Sequence, residues 1–88
     1  MAVYRIVLSR TAESVYKWLN KHELNLLRRI DSVLDSLGED PFQGKPLKGV
    51  LRGDYSIRVG SYRIIYTINK KQLFVYVLDI GHRREIYR

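Results

Sequence analysis

Arginine and tyrosine side chains recur through the second half of this chain in a pattern that suits binding to a phosphate backbone. Arg58 and Arg63 flank a Gly60-Ser61 pair, and the sequence ends in Gly81-His82-Arg83-Arg84-Glu85-Ile86-Tyr87-Arg88. Guanidinium groups neutralise phosphates, and tyrosine rings stack on bases. These residue types therefore favour a function on nucleic acid.

Charge is distributed unevenly between the two halves of the chain. Residues 1–44 carry six Lys/Arg and six Asp/Glu, whereas residues 45–88 carry ten Lys/Arg and only three acids, Asp54, Asp79 and Glu85. The net charge of +7 therefore belongs to the second half. A surface with one sign of charge attracts an oppositely charged partner over long range, which again indicates a polyanion.

Length and composition predict one folded domain over residues 1–88. A chain of 88 residues buries roughly 60–65% of the surface it exposes when unfolded, which is enough for one modest core and too little for two. The composition, 45% apolar and 28% charged, is typical of a globular domain and not of a disordered tail.

The sequence lacks cysteine, a signal peptide and a membrane helix, and these absences bear on where the protein acts. The sequence has no cysteine, which excludes disulfides and thiolate metal sites and suits a reducing cytosol. Residues 2–9 contain an arginine and lack the apolar length of a signal peptide. No stretch approaches the roughly 20 apolar residues of a membrane helix. We expect a cytoplasmic protein with no membrane partner.

The hydrophobic pattern predicts a strand, two helices and then three strands. Apolar residues recur at helical spacing from Ala12 to Leu19 and from Leu24 to Leu37, and Gly38 lies where helices commonly end in the left-handed region. Residues 38–53 hold both prolines and read as the one long connection. The predicted strands cover residues 3–8, 55–59, 62–69 and 73–80. This order predicts an α+β fold with a helical hairpin on one face of a small antiparallel sheet.

The hairpin formed by residues 55–69 supplies the sharpest local hypothesis. Alternation along its first strand puts Ser56 and Arg58 on the side opposite to the apolar residues. A two-residue turn at Gly60-Ser61 would set Arg58 opposite Arg63 on the sheet face away from the helices. Two adjacent guanidinium groups repel each other and are tolerated where a polyanion binds.

Three segments taken together resemble the RelE toxin family of the RelE/ParE superfamily, and the likeness extends over essentially the whole chain. They are Pro46-Leu47-Lys48-Gly49, Tyr55-Ser56-Ile57-Arg58-Val59-Gly60-Ser61-Tyr62-Arg63-Ile64-Ile65-Tyr66 and Gly81-His82-Arg83-Arg84-Glu85-Ile86-Tyr87.

The resemblance implies an antiparallel sheet flanked by helices and a toxin that cleaves messenger RNA in the ribosomal A site. It also implies an acidic cognate antitoxin of the RelB type. The family cuts without metal: the RNA 2′-hydroxyl attacks the adjacent phosphate and leaves a 2′,3′-cyclic phosphate and a 5′-hydroxyl. The sequence shows no His/Cys/Asp/Glu ligand cluster, so we expect neither a metal nor another cofactor.

Residue roles follow from the same resemblance. Arg63 matches the arginine that holds the scissile phosphate, and Arg83 matches the arginine assigned to the leaving group or its charge. Arg58 takes the second of two basic positions on the preceding strand. Lys48 matches a loop residue that contacts RNA, and Tyr87 matches a tyrosine that stacks on a base.

One position departs from the family pattern. The first of the two basic strand positions is Ser56, so a lysine that is often given a proton-transfer role is missing. Arg58 is a poor base because the pKa of arginine exceeds about 12. Histidine is the side-chain type that ordinarily changes charge near neutral pH, so His82 is the candidate for proton transfer. Arg52 and Arg84 complete the expected RNA-binding set.

Other interpretations stay open at this stage. The ParE branch shares the fold, lacks the catalytic basic set and poisons DNA gyrase through protein contact. A chain that keeps the fold but has lost toxicity through Ser56 is a third possibility. Individually, the arginines and Tyr87 could be solvated or packed surface residues. The role of His82 could be limited to orienting the backbone.

Overall fold

A five-stranded sheet packs one face against two helices. The computed structural model describes residues 3–82. The elements are β1 (Arg5–Leu8), α1 (Arg10–His22), α2 (Leu24–Glu39), β2 (Lys45–Pro46), β3 (Tyr55–Val59), β4 (Tyr62–Asn69) and β5 (Phe74–His82), with short 3₁₀ turns at Pro41–Gln43 and Gly49–Leu51.

The sheet is mixed. Its strand order is β1-β5-β4-β3-β2, and the four later strands pair antiparallel with their neighbours. β1 pairs parallel with β5, with Leu8 opposite Val77. The predicted α+β class and the order of the predicted elements are confirmed, whereas the wholly antiparallel sheet is wrong in this one pairing. Hydrophobic alternation identifies a strand but does not name its partner.

Ser9 shows how β1 and α1 are fixed against β5. Its backbone N–H donates to the carbonyl oxygen of Val77 at 2.9 Å, and its hydroxyl donates to the carbonyl oxygen of Leu78 at 2.7 Å. The same hydroxyl accepts the backbone N–H of Ala12 at 3.0 Å and caps α1. The helix therefore starts at a point that is tied to the centre of the sheet.

The core lies between the helices and the sheet. Each helix presents one apolar stripe, and β3, β4 and β5 present alternate side chains to it. The buried apolar residues of this cluster are Ala12, Leu19, Leu27, Ile30, Leu34, Leu37, Val59, Ile64, Tyr66, Val75, Val77 and Ile80. The opposite sheet face, which we call the open face, is left without helices and carries the candidate site.

Gly38 does not end α2 in the left-handed region, contrary to the sequence prediction. The helix continues to Glu39, and Asp40 is its C-cap residue. A Cβ atom at Gly38 would lie 3.1 Å from the carbonyl oxygen of Tyr4, and the Tyr4 N–H donates to the Gly38 carbonyl at 2.7 Å. The glycine is therefore explained by the close approach of the chain that leads into β1.

Tyr66 holds the long connection against the sheet. Its fully buried hydroxyl donates to the carbonyl oxygen of Pro41 at 2.8 Å and accepts the N–H of Gly44 at 3.1 Å. The Tyr66 ring stacks on Tyr55 with centroids 5.6 Å apart. A Cβ atom at Gly44 would collide with the Tyr66 hydroxyl. This anchor fixes the chain immediately before β2.

Burial raises the pKa of Tyr66 from 10.0 to about 12. The hydrogen bond that the Tyr16 hydroxyl donates to Asp31 raises the pKa of Tyr16 to about 12 as well. Both phenols stay protonated in the folded chain while those of the unfolded chain ionise. The free energy of unfolding is therefore expected to fall as pH rises from about 10 to about 12.

Replacing Tyr66 by Phe should lower the free energy of unfolding by about 1–3 kcal/mol at pH 7, because a buried hydroxyl that makes two hydrogen bonds is removed. The variant should also lose less stability than the parent between pH 10 and 12. Urea unfolding at several pH values measures both effects. Tyr76→Phe, on the open face, serves as the control and should change stability by less than about 0.5 kcal/mol. Equal unfolding midpoints for Tyr66→Phe and the parent would contradict the anchor.

Candidate nucleic-acid interface

The open face carries the two arginines of the hairpin as a cross-strand pair. Arg58 lies opposite Arg63, and Val59 lies opposite Tyr62, so the predicted register is confirmed. Gly60 has a φ of 61°, a left-handed conformation that glycine adopts at little steric cost. This tight turn is what keeps the two guanidinium groups on the same side of the sheet.

Ser56 contacts Arg63 on this face. Arg63 Nη1 donates to the Ser56 Oγ at 2.9 Å. Ser56 is only 2% exposed, and among residues 3–82 it is the one polar residue that is buried. The hydrogen bond fixes one arm of a half-buried guanidinium before any ligand is present. The position that departs from the family pattern thus has a clear structural role.

A cavity of about 450 Å³ opens beside Arg63. It is lined by Lys45, Pro46, Leu47, Lys48 and Arg63. No carboxylate is among these lining residues, so three cations converge on one space. Such a cavity favours an anion, because the anion offsets the repulsion between the cations.

Lys45 is the residue that sequence reasoning undervalued. It is absent from the expected RNA-binding set of Lys48, Arg52 and Arg84, yet it pairs with Ser56 between β2 and β3. β2 is two residues long, and a segment of that length shows no hydrophobic periodicity. The only available signal was the charge of Lys45 close to Lys48 in the sequence.

The two predicted RNA-binding residues of the loop separate in space. Lys48 precedes the Gly49–Leu51 turn and lines the cavity. Arg52 follows that turn, is exposed and lies outside the cavity lining. Lys48 therefore joins Arg63, while the structure gives Arg52 no contact with this group.

His82 lies on the face of the sheet that the helices cover. It pairs with Tyr62, whereas Arg63 pairs with Gly81, and paired residues share a face. Its ring approaches Tyr62 edge-on with centroids 5.9 Å apart. It lines a separate groove of about 430 Å³ together with Trp18 of α1. The structure does not bring His82 to Arg58 and Arg63, so proton transfer by His82 stays a hypothesis without geometric support.

A bulge in β5 decides this placement. Tyr66 pairs with Val77 and Ile65 with Asp79, which leaves Leu78 as the extra residue. Uninterrupted alternation from Val77 would have turned residue 82 towards the open face. The extra residue reverses the alternation, so Ile80 and not Asp79 enters the core.

The remaining predicted site residues, Arg83, Arg84 and Tyr87, lie outside the described residues. Within residues 3–82, no three His, Cys, Asp or Glu side chains form a group that could hold a metal ion. In the same range, no helix is long and apolar enough to cross a membrane.

Comparison with known proteins identifies the class. Residues 6–87 match the family described as the ParE toxin of type II toxin–antitoxin systems. The chain therefore belongs to this family, within the RelE/ParE superfamily, and the resemblance noted in the sequence is confirmed.

Similarity to individual toxins refines the class. The chain is 37% identical over 60 residues to toxin RelG of Mycobacterium tuberculosis, which covers 67% of this chain and 69% of RelG. It is 35% identical over 74 residues to toxin YoeB of Synechocystis sp., covering 78% and 86%. A chain of the RelBE2 toxin–antitoxin complex of M. tuberculosis has a TM-score of 0.78 and 30% identity, covering 92% of this chain and 99% of that one. The chain is thus a type II toxin of the RelE/YoeB type.

The RNA cleavage that the family resemblance implies should keep its pH dependence when His82 is replaced by Gln, because the imidazole lies on the helix side of the sheet. The measurement is the cleavage rate between pH 5.5 and 8.5 with translating ribosomes. His22→Gln, a substitution in the last turn of α1, is the matched control. Loss of a titration step near pH 6–7 in His82→Gln alone would show that this histidine does transfer a proton.

Proposed function

We propose that this chain is a ribosome-dependent endoribonuclease that cleaves messenger RNA in the A site without a metal. The observation that carries the proposal is the convergence on the open face of Arg63, held by Ser56, with Arg58 opposite it and Lys48 across the cavity. The likeness to toxins named RelG and YoeB supports it.

The reaction requires stabilisation of a phosphorane. The RNA 2′-hydroxyl gives up its proton to a base and attacks the adjacent phosphorus, and the bond to the 5′-oxygen breaks as that oxygen takes up a proton. Negative charge accumulates on the non-bridging oxygens during the attack. A guanidinium group presents N–H donors in a planar fork that matches phosphate oxygens. We assign this contact to Arg63, because its side chain is already fixed by the hydrogen bond to Ser56.

The other predicted residues complete the proposal. Arg58 adds positive charge beside Arg63, and Lys48 contacts the RNA backbone from the loop. Arg83 and Tyr87 keep the roles implied by the family resemblance, at the leaving group and on a base. Arg52 and Arg84 attract RNA through charge. Positive charge near the RNA raises the association rate, whereas fixed positive charge at the phosphate lowers the barrier.

An acidic antitoxin of the RelB type is the proposed protein partner. The solved complex of M. tuberculosis contains a toxin and its antitoxin, and this chain carries a net charge of +7. Electrostatic complementarity would speed the association of such a pair. An antitoxin that covers the open face would block the proposed RNA site directly.

A ParE-like action on DNA gyrase is the second candidate, because the matching family is described as the ParE toxin. The two candidates differ in what they contact. The nuclease must hold a phosphate on the open face. A gyrase poison acts through protein contact, so it does not require guanidinium groups to be fixed around a phosphate.

Arg63→Ala should reduce cleavage of messenger RNA on translating ribosomes by roughly 10²–10³-fold, by analogy with the loss of a single donor at an oxyanion. Mapping of new 5′-hydroxyl ends should show cuts in phase with codons for the parent chain, and these cuts should disappear in the variant. Arg28→Ala removes the same charge from an exposed position on α2 and should leave the cuts in place.

Two outcomes would contradict the nuclease proposal. An effect of Arg63→Ala of tenfold or less, or one equal to that of Arg28→Ala, would remove Arg63 from the reaction. Inhibition of gyrase or DNA breakage without RNA cuts would favour the second candidate instead.

A further inference from the structure

Three side chains from three consecutive strands form a row across the open face. Lys45 on β2 pairs with Ser56 on β3, and Arg63 on β4 donates a hydrogen bond of 2.9 Å to the Ser56 hydroxyl. Directly paired residues of antiparallel strands project from the same face. Lys45 and Arg63 therefore flank Ser56 from opposite sides.

Ser56 is suited to orient a guanidinium and not to react with a substrate. It is 2% exposed, so its hydroxyl is withdrawn from solvent and from any large ligand. Its oxygen accepts from Arg63, which is itself half-buried. A flexible side chain that is fixed before binding loses less conformational freedom when the ligand arrives. The hydroxyl therefore acts through Arg63.

Lys45 supplies positive charge from the neighbouring strand. It lines the cavity of about 450 Å³ together with Lys48 and Arg63. The walls between these cations are the side chains of Pro46 and Leu47, which offer no competing carboxylate. The buried Tyr66 hydroxyl holds Gly44, the residue directly before Lys45, so the backbone of Lys45 is fixed as well.

We propose that Lys45, Ser56 and Arg63 act as one phosphate-holding unit, in which Ser56 positions Arg63 and Lys45 binds an RNA phosphate across the cavity. The identity of the ligand as RNA rests on the proposed function. In the family pattern a lysine occupies the position of Ser56 and places a positive charge beside Arg63. In this chain Lys45 provides that charge from β2, the strand that pairs with β3 at Ser56.

Binding of a non-cleavable RNA tests the unit independently of catalysis. The probe is a short single-stranded oligoribonucleotide with 2′-deoxyribose at the cut site, titrated at several salt concentrations. Lys45→Ala should weaken binding roughly tenfold at low salt and reduce the slope of log affinity against log salt by about 1. Lys71→Ala, in the exposed turn before β5, is the matched control and should change neither quantity.

Double-variant cycles test the positioning role of Ser56. Ser56→Ala should weaken binding about five- to tenfold in the parent chain and have no effect when Arg63 is already Ala. Ser56→Thr, which keeps a hydroxyl, should retain most of the affinity. Lys45→Ala should weaken binding by a similar factor with or without Arg63, because its contact is separate. Thermal unfolding of each variant separates these effects from loss of the fold.

The outcomes separate this unit from the proposed reaction. Equal binding by Lys45→Ala and Lys71→Ala, or a full effect of Ser56→Ala in the absence of Arg63, would overturn the unit. If the variants bind RNA as expected but the parent chain never cuts RNA on ribosomes, the phosphate-holding unit stands and the nuclease proposal is contradicted.

Discussion

The register of the β3–β4 hairpin is the constraint on which the candidate site depends. A two-residue turn with Gly60 in the left-handed region pairs Arg58 with Arg63. Side chains alternate between the faces of a strand, so a slip by one residue would turn Arg63 into the core and bring an apolar residue to the open face. Burial of Val59 and Ile64 on the helix side therefore specifies where both arginines lie.

Anchoring of the long connection is the second requirement, because the cavity has walls from two parts of the chain. The Tyr66 hydroxyl joins Pro41 and Gly44 from the centre of the sheet. That contact brings β2 to the edge of β3 and sets Lys45 opposite Ser56. A phenol in the core thus determines the position of a cation on the other side of the sheet, so stability and the proposed RNA binding are expected to be linked at this residue.

The predicted site residues whose positions depend on near neighbours in the sequence were placed correctly, and the one whose position depends on a distant pairing was not. The Arg58–Arg63 pair followed from alternation and turn chemistry over six residues, and the structure confirms it. Lys48 was placed by resemblance and lines the cavity. His82 was expected beside the arginines but lies on the helix side, because the bulge at Leu78 reverses the alternation of β5. A bulge leaves little trace in a continuously apolar strand, so this change of face was not visible in the sequence.

The sequence by itself determined the α+β class, the order of its principal elements, the charge asymmetry and the arginine pair, since each depends on periodicity or on neighbours in the chain. Tertiary structure alone decided the parallel pairing of β1 with β5, the closeness of Lys45 to Ser56 and the face of His82. These features depend on contacts between segments that are distant along the chain. Which distant segments meet is set by the packing of the helices on the core and by a single extra residue in one strand.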